Sequence, residues 1–244
     1  MAIKQTSALH YAVIGVATML IAACGSDNNG GSTPPPPPAM ASFDVTVSNL
    51  TNGQPLSPVA VVAHQDAYAV FTVGTAATVG LEQLAEGGDN STLLAEADAD
   101  GAVMASASGA APIGPAGVET ITVTVLQSEL AGLTISFNSM LVNTNDAITG
   151  LNAVPVGTFA VGDSTTLRSI AYDAGTEANT EAAIHIPGPA GGGEGFNAAR
   201  DDVADRVAMH SGVVSQDDGF AMSDLSGQHR FDNPVAQVHI ERIN

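Results

Sequence analysis

Thr120-Ile121-Thr122-Val123-Thr124-Val125 alternates hydroxyl and branched aliphatic side chains with a period of two. Successive side chains of an extended chain point to opposite faces, so this run predicts a strand with one buried and one wet face. The same pattern recurs where Phe43, Val45 and Val47 oppose Asp44, Thr46 and Ser48. It recurs again where Leu133, Ile135 and Phe137 oppose Thr134, Ser136 and Asn138, and where Ala236, Val238 and Ile240 oppose Gln237, His239 and Glu241. Turn chemistry separates the runs: Thr51-Asn52-Gly53-Gln54, the stretch Pro112 to Gly117, and a glycine cluster from Gly188 to Gly195. Four half-buried strands between such turns predict an all-β fold, an antiparallel β-sandwich.

Two helices are expected among the connections. Residues 78–86, TVGLEQLAE, place Val79, Leu81 and Leu84 toward one side and end before Gly87-Gly88, a helix stop. Residues 198–210 place Val203, Val207 and His210 at helical spacing. Both read as packing elements.

The N-terminus follows a different logic. Lys4, an apolar run from Tyr11 to Ala23 and small residues leading into Cys24 form the three-part pattern of an export signal. Ile21-Ala22-Ala23-Cys24 resembles the bacterial lipobox, in which the cysteine receives diacylglycerol before cleavage. The expected organisation is therefore a lipoprotein signal peptide at 1–23, a lipidated Cys24 with a Gly/Pro-rich tether over 24–41, and one domain over 42–244. Several acyl chains on one cysteine would hold the protein at a membrane, and Gly25, where an aspartate would favour inner-membrane retention, directs the expectation to the outer membrane of the bacterial cell envelope. Pro34 to Pro38 favour an extended polyproline rod, which suits a spacer.

Composition narrows the function. Twenty-five acidic residues against six basic ones give a formal charge of −19 over 244 residues, so nucleic acid and anionic head groups would be repelled. The single cysteine excludes an intrachain disulfide and any Cys-rich metal site. Glu96-Ala97-Asp98-Ala99-Asp100-Gly101 has the first half of an EF-hand loop, but Ala107 stands where the bidentate glutamate is required. Gly162-Asp163-Ser164-Thr165 opens like an esterase block, yet no Asp-x-x-His follows, and a solvated turn is expected. The five histidines of the domain lack the close pairing of a helical zinc site, and structural or surface roles are expected for them.

Two loops concentrate oxygen ligands: Asn143-Thr144-Asn145-Asp146-Ala147, and Tyr172-Asp173-Ala174-Gly175-Thr176-Glu177. The segment DAGTE at 173–177 resembles the DAGT(D/E) signature of the spondin N-terminal domain family of animal matrix proteins and secreted bacterial proteins. Further segments follow in family order: FDVTVSNLTNGQPLSP from Phe43, LEQLAEGGD from Leu81, SML at 139–141 with NTNDA behind it, AYDAGTEANTE from Ala171, and NPVAQVHIERI from Asn233. The resemblance spans about residues 43–243.

It implies a C2-like sandwich with Ca2+ held by Asp146, Asp173 and Glu177, and a role in adhesion. Calcium takes six to eight oxygens from carboxylates, carbonyls and water, which such loops supply. Asp146 matches the family's loop aspartate, and Asp173 and Glu177 fall on the acidic positions of the DAGT motif. Glu177 carries one methylene more than the aspartate of animal members, Ala147 stands where they have a bulky aromatic, and the chain lacks tryptophan and their disulfide cysteines. The expected function is a lipid-anchored envelope binding or adhesion module whose partner is an envelope or extracellular protein or polysaccharide. The alternative is an envelope hydrolase with a loop-borne serine or carboxylate site, for which no nucleophile, base and orienter can be placed from sequence.

Overall fold

A computed structural model describes residues 35–65, 68–202 and 204–244. Cys24 and the export signal lie outside the described residues. The domain is the compact unit Pro38–Asn244. Ten strands and two short helices follow one another as β1 (Met40–Asn49), β2 (Ala60–His64), α1 (Val79–Gly87), α2 (Ser91–Asp98), β3 (Val103–Ser108), β4 (Val118–Leu126), β5 (Thr134–Met140), β6 (Ala147–Pro155), β7 (Ser164–Ser169), β8 (Ala171–Asp173), β9 (Ala208–Met209) and β10 (Ala236–Arg242). Strand β1 starts at Met40, which pairs with Leu126, so pairing begins two residues before the expected domain start.

The strands form two antiparallel sheets, one of four strands in the order β4-β1-β10-β7 and one of six in the order β3-β2-β5-β6-β8-β9. The fold is an all-β sandwich. Its interior is built by the alternating strands: Phe43, Val45 and Val47 of β1, Ile121, Val123 and Val125 of β4, and Val238 and Ile240 of β10 face Val61, Ala63, Ile135 and Phe137 from the other sheet. On the far side of the four-stranded sheet the hydroxyls meet in pairs, Thr46 with Thr120 at 2.8 Å and Ser42 with Thr124 at 2.9 Å. Each such opposed pair adds a little stability to the ladder at the solvent face.

Strands β2 and β5 of the six-stranded sheet are covered on both faces. Val61 and Ala63 of β2 point into the sandwich, while Ala60 and Val62 enter a second core with Ile148, Leu81, Leu84, Ala85, Leu93 and Phe71. Burial of every residue of β5 follows. Its polar face, expected to be wet, instead lies inside: Ser136 Oγ donates to Nε2 of the buried His64 at 2.7 Å, whose Nδ1 donates to the Gln65 carbonyl at 2.7 Å. Hydrogen bonding inside the protein makes these hydroxyls tolerable there.

Helix α1 forms where the sequence predicts it. Thr78 caps it by accepting from the Leu81 amide at 3.2 Å, and Gly88 ends it in the left-handed region. Val79, expected on the packed side, is exposed, and Ala85 takes that role. The EF-hand-like stretch begins in α2, where Glu96 accepts from the Gly80 amide at 2.9 Å and so serves the start of α1. No helix occurs among the described residues of 198–210: Val207 exchanges backbone hydrogen bonds with Thr75 and Gly74, and Ala208 and Met209 form edge strand β9. The helical spacing there was overridden by sheet pairing. Among the described residues no helix is long and apolar enough to cross a membrane.

Candidate metal centre

Asp146 immediately precedes β6, and Asp173 ends β8. These strands pair antiparallel with Ala147 opposite Asp173, and the Ala174 amide donates to the Asp146 carbonyl at 3.2 Å. The ladder therefore sets the two aspartates on neighbouring strands, diagonal to one another, at one end of the six-stranded sheet, close enough for the charge of Asp173 to act on Asp146. Thr144 tightens the preceding turn, its hydroxyl donating to the Leu141 carbonyl at 2.6 Å and accepting from the Ala147 amide at 3.0 Å.

Beyond Ala174 the chain turns on Gly175. Its φ is +72°, and a Cβ there would overlap the Arg206 backbone, 2.7 Å from the carbonyl carbon. Only glycine satisfies both conditions. The Gly175 amide donates to Asp173 Oδ1 at 2.8 Å, closing an Asx turn. That bend aims the next groups at Asp146: Oδ2 accepts from the Thr176 amide at 2.8 Å, the Glu177 amide at 3.1 Å and the Thr176 hydroxyl at 3.3 Å.

Asp146 is fully buried, and its Oδ1 has no protein partner. Burial, and then the charge of Asp173, push its carboxyl up to about 7 against the lowering effect of the bonds to Oδ2. Asp173 Oδ2 accepts from the Asn179 side chain at 2.6 Å. The amide of Asn145, also fully buried, leaves its oxygen unpartnered beside this pair in sequence. An unpartnered carboxylate oxygen next to a second carboxylate is costly unless a cation or proton meets it. The donor set is all oxygen, which suits a hard divalent ion.

The three sequence-predicted ligands do not converge as one set: among the described residues the group of three acidic or histidine side chains whose ligand atoms lie within 4.8 Å of one another is Glu177, His185 and Glu194. The Glu177 amide is on Asp146, but its carboxylate Oε1 lies 3.0 Å from His185 Nδ1. Burial raises the Glu177 carboxyl to about 7, opposed by His185, with the charge of Glu86 adding to the rise. Three residues near the aspartates or Glu177 escaped the sequence reading. Glu86 is buried with Oε1 unpartnered, and burial raises its carboxyl. Buried His210 accepts at Nδ1 from the Gly212 amide at 2.9 Å, has Nε2 unpartnered, and is held low by burial while Asp173 pulls it up. His185 was read as an ordinary residue. None of them sits at a spacing that marks a ligand, because each arrives from a separate loop or helix.

Serine and histidine meet at His64–Ser136, sealed in the second core, and at Ser226–His229, where the hydroxyl is 3.4 Å from Nδ1. Of the Gly162–Thr165 stretch, Gly162 and Asp163 form a turn, in which Asp163 accepts from the Ala160 amide at 2.8 Å, and Ser164 and Thr165 begin β7.

No curated protein matches the chain. The Spondin_N family model matches residues 49–184, which include Asp146, Asp173 and Glu177 and stop one residue short of His185. With more than half of its length matched, and with a two-sheet antiparallel sandwich carrying the DAGTE turn at its end, the chain belongs to the spondin N-terminal domain family.

Proposed function

We infer that the chain is a calcium-dependent adhesion or binding module of the bacterial envelope, carried on a lipid at Cys24. The observation that supports this reading best is the unpartnered Oδ1 of buried Asp146 beside Asp173. Asp146 and Asp173 would hold the ion, with Asn145 a further oxygen donor within the same turn and Glu177 joining them once its carboxylate turns from His185. Bound calcium supplies positive charge among acids that otherwise repel one another. The chain's own residues do the positioning: Gly175 sets the bend, and Thr176 and the Glu177 amide fix the Asp146 rotamer by occupying Oδ2. That leaves Oδ1 for the ion.

Family membership supports an extracellular adhesion-type role, and the partner belongs to the class of envelope or extracellular proteins and polysaccharides. A charge of −19 disfavours polyanionic partners. Extracellular calcium modules bind at about 10⁻⁴ to 10⁻³ M, so 10 mM calcium stabilises the folded state by about 1.4 to 2.7 kcal/mol, a melting shift of a few degrees. Calorimetric titration and melting scans of the purified protein test the reading, with Asp173→Asn expected to weaken affinity and shift together. Absence of both binding heat and thermal shift in the wild type would overturn it. Cys24→Ala is expected to release the protein from the membrane fraction; retention unchanged, with no lipid mass on the wild-type cysteine, would remove the anchor from the reading.

A further inference from the structure

Beyond the aspartate pair, three side chains from three loops meet at one point. Glu177 Oε1, His185 Nδ1 and Glu194 Oε1 all lie within 4.8 Å of one another, with His185 3.0 Å from Glu177 and 4.0 Å from Glu194. The glycine cluster builds this meeting. Gly193 donates to the Ile186 carbonyl and Glu194 to the Ile184 carbonyl, both at 2.9 Å, so the segment folds back along the turn that carries His185. A Cβ on Gly193 would collide with the backbone of Ala183 and Ile184. The glycines permit the approach that delivers Glu194.

An ion pair between His185 and Glu177 does not account for the arrangement. Imidazole Nδ1 carries at most one hydrogen, yet two carboxylates face it. Behind Glu177 stands Glu86, only 2% exposed, with Oε1 unpartnered. Its other oxygen accepts from the Asn197 amide at 2.8 Å, and the Asn197 side chain reaches Glu194 at 3.4 Å. The Glu86 carboxylate is thus bracketed by the same segment that brings Glu194, and its charge acts on Glu177. The charge of Arg200 eases Glu86, but its own contacts are elsewhere, to Glu82 at 2.7 Å, Asp205 at 2.9 Å and the Ala77 carbonyl at 2.9 Å.

We propose that Glu177, His185 and Glu194 form a second cation site, for a zinc-class transition-metal dication, adjoining the calcium centre through Glu177. An imidazole with two carboxylates suits zinc better than calcium, which prefers oxygen alone. Ligand atoms about 2.0 to 2.2 Å from a tetrahedral zinc lie about 3.3 to 3.5 Å apart, a spacing that the observed 3.0 and 4.0 Å bracket. Glu194, half exposed, gives the ion a route in. His185 and Glu194 fall outside residues 49–184, so the site is an addition to the family-matched part of the chain.

The proposal depends on the calcium reading only through the shared Glu177, and four variants test and separate the two. Full-length protein is titrated with ZnCl₂ and, separately, CaCl₂ in a calorimeter, with circular dichroism checking each fold. One zinc per chain is expected. Glu194→Gln should weaken zinc at least about tenfold and leave calcium unchanged, because Glu194 is half exposed and is not one of the proposed calcium ligands. Asp146→Asn should do the reverse, and Glu177→Gln should weaken both. If calcium fails to bind the wild type while zinc binds and depends on Glu194, the calcium reading falls and this one stands. No zinc binding, or zinc binding equal in the wild type, Glu194→Gln and His185→Gln, would overturn it.

Discussion

The two sheets of this sandwich are made of similar residues but live in different surroundings. In the four-stranded sheet, β1, β4 and β10 bury one face and wet the other. In the six-stranded sheet, β2 and β5 are buried on both faces, and one end carries the carboxylates. The first sheet is a wall, whereas the second is an interior element clad by helices and loops. That difference decides where substitutions hurt and where charge can be trapped.

The largest expected effect lies at the clad end. Gly175→Val forces a branched side chain into positive φ and into the Arg206 backbone, so a loss of about 4 kcal/mol or more is expected, read as a large drop in the urea midpoint. A normal melt for this variant would break the account of the DAGTE turn. Next comes Phe137→Ala, expected to cost about 3 to 5 kcal/mol because the ring is 2% exposed within the main core. The matched change on the wall's wet face is Thr122→Ala, which loses only an exposed hydroxyl bond to Asp44 and should stay within about 0.5 kcal/mol. Equal costs at the two positions would erase the contrast between the sheets.

A subtler test uses Asn138, fully buried in β5 with both amide atoms unpartnered. Replacing an unsatisfied buried polar group by an apolar one of similar shape is neutral or favourable, so Asn138→Leu should raise stability by about 1 kcal/mol. A loss above about 2 kcal/mol would show that the amide has a partner there. The smallest effect expected concerns pH. Burial raises the Glu181 carboxyl above its ordinary value, opposed by the Val214 amide. A raised acid binds its proton more tightly in the folded state, so Glu181 subtracts stability as pH climbs from 4.5 to its folded value. Glu181→Gln should flatten that fall in melting scans from pH 4 to 8, and an unchanged fall would show that Glu181 does not carry it.

The same contrast explains what was legible in the sequence. Strands β1, β4 and β10 were read correctly because a wall displays its two environments residue by residue. Strand β5 was located, but its Thr134, Ser136 and Asn138 were placed in water. Nothing local to them announces the helices and loops laid over that face. Helix α2 and the short strands β2, β3, β8 and β9 were missed for a related reason: short segments owe their conformation to neighbours far away in sequence. At the candidate site, Asp146, Asp173 and Glu177 stood out through a compact motif. Glu86, His185, Glu194 and His210 did not, since tertiary packing alone gathers them.

Strand β10 lies between β1 and β7, with Asn49 opposite Ala236 and Phe43 opposite Arg242. The first strand of the domain therefore waits for one that is synthesised nearly two hundred residues later. Such distant closure is slow, because loop entropy is lost before the pairing rewards it. Until then β1 offers a valine-rich edge to any other extended chain. During synthesis this domain must be kept unfolded or shielded until its tail arrives, and a product truncated before Ala236 would present that edge permanently.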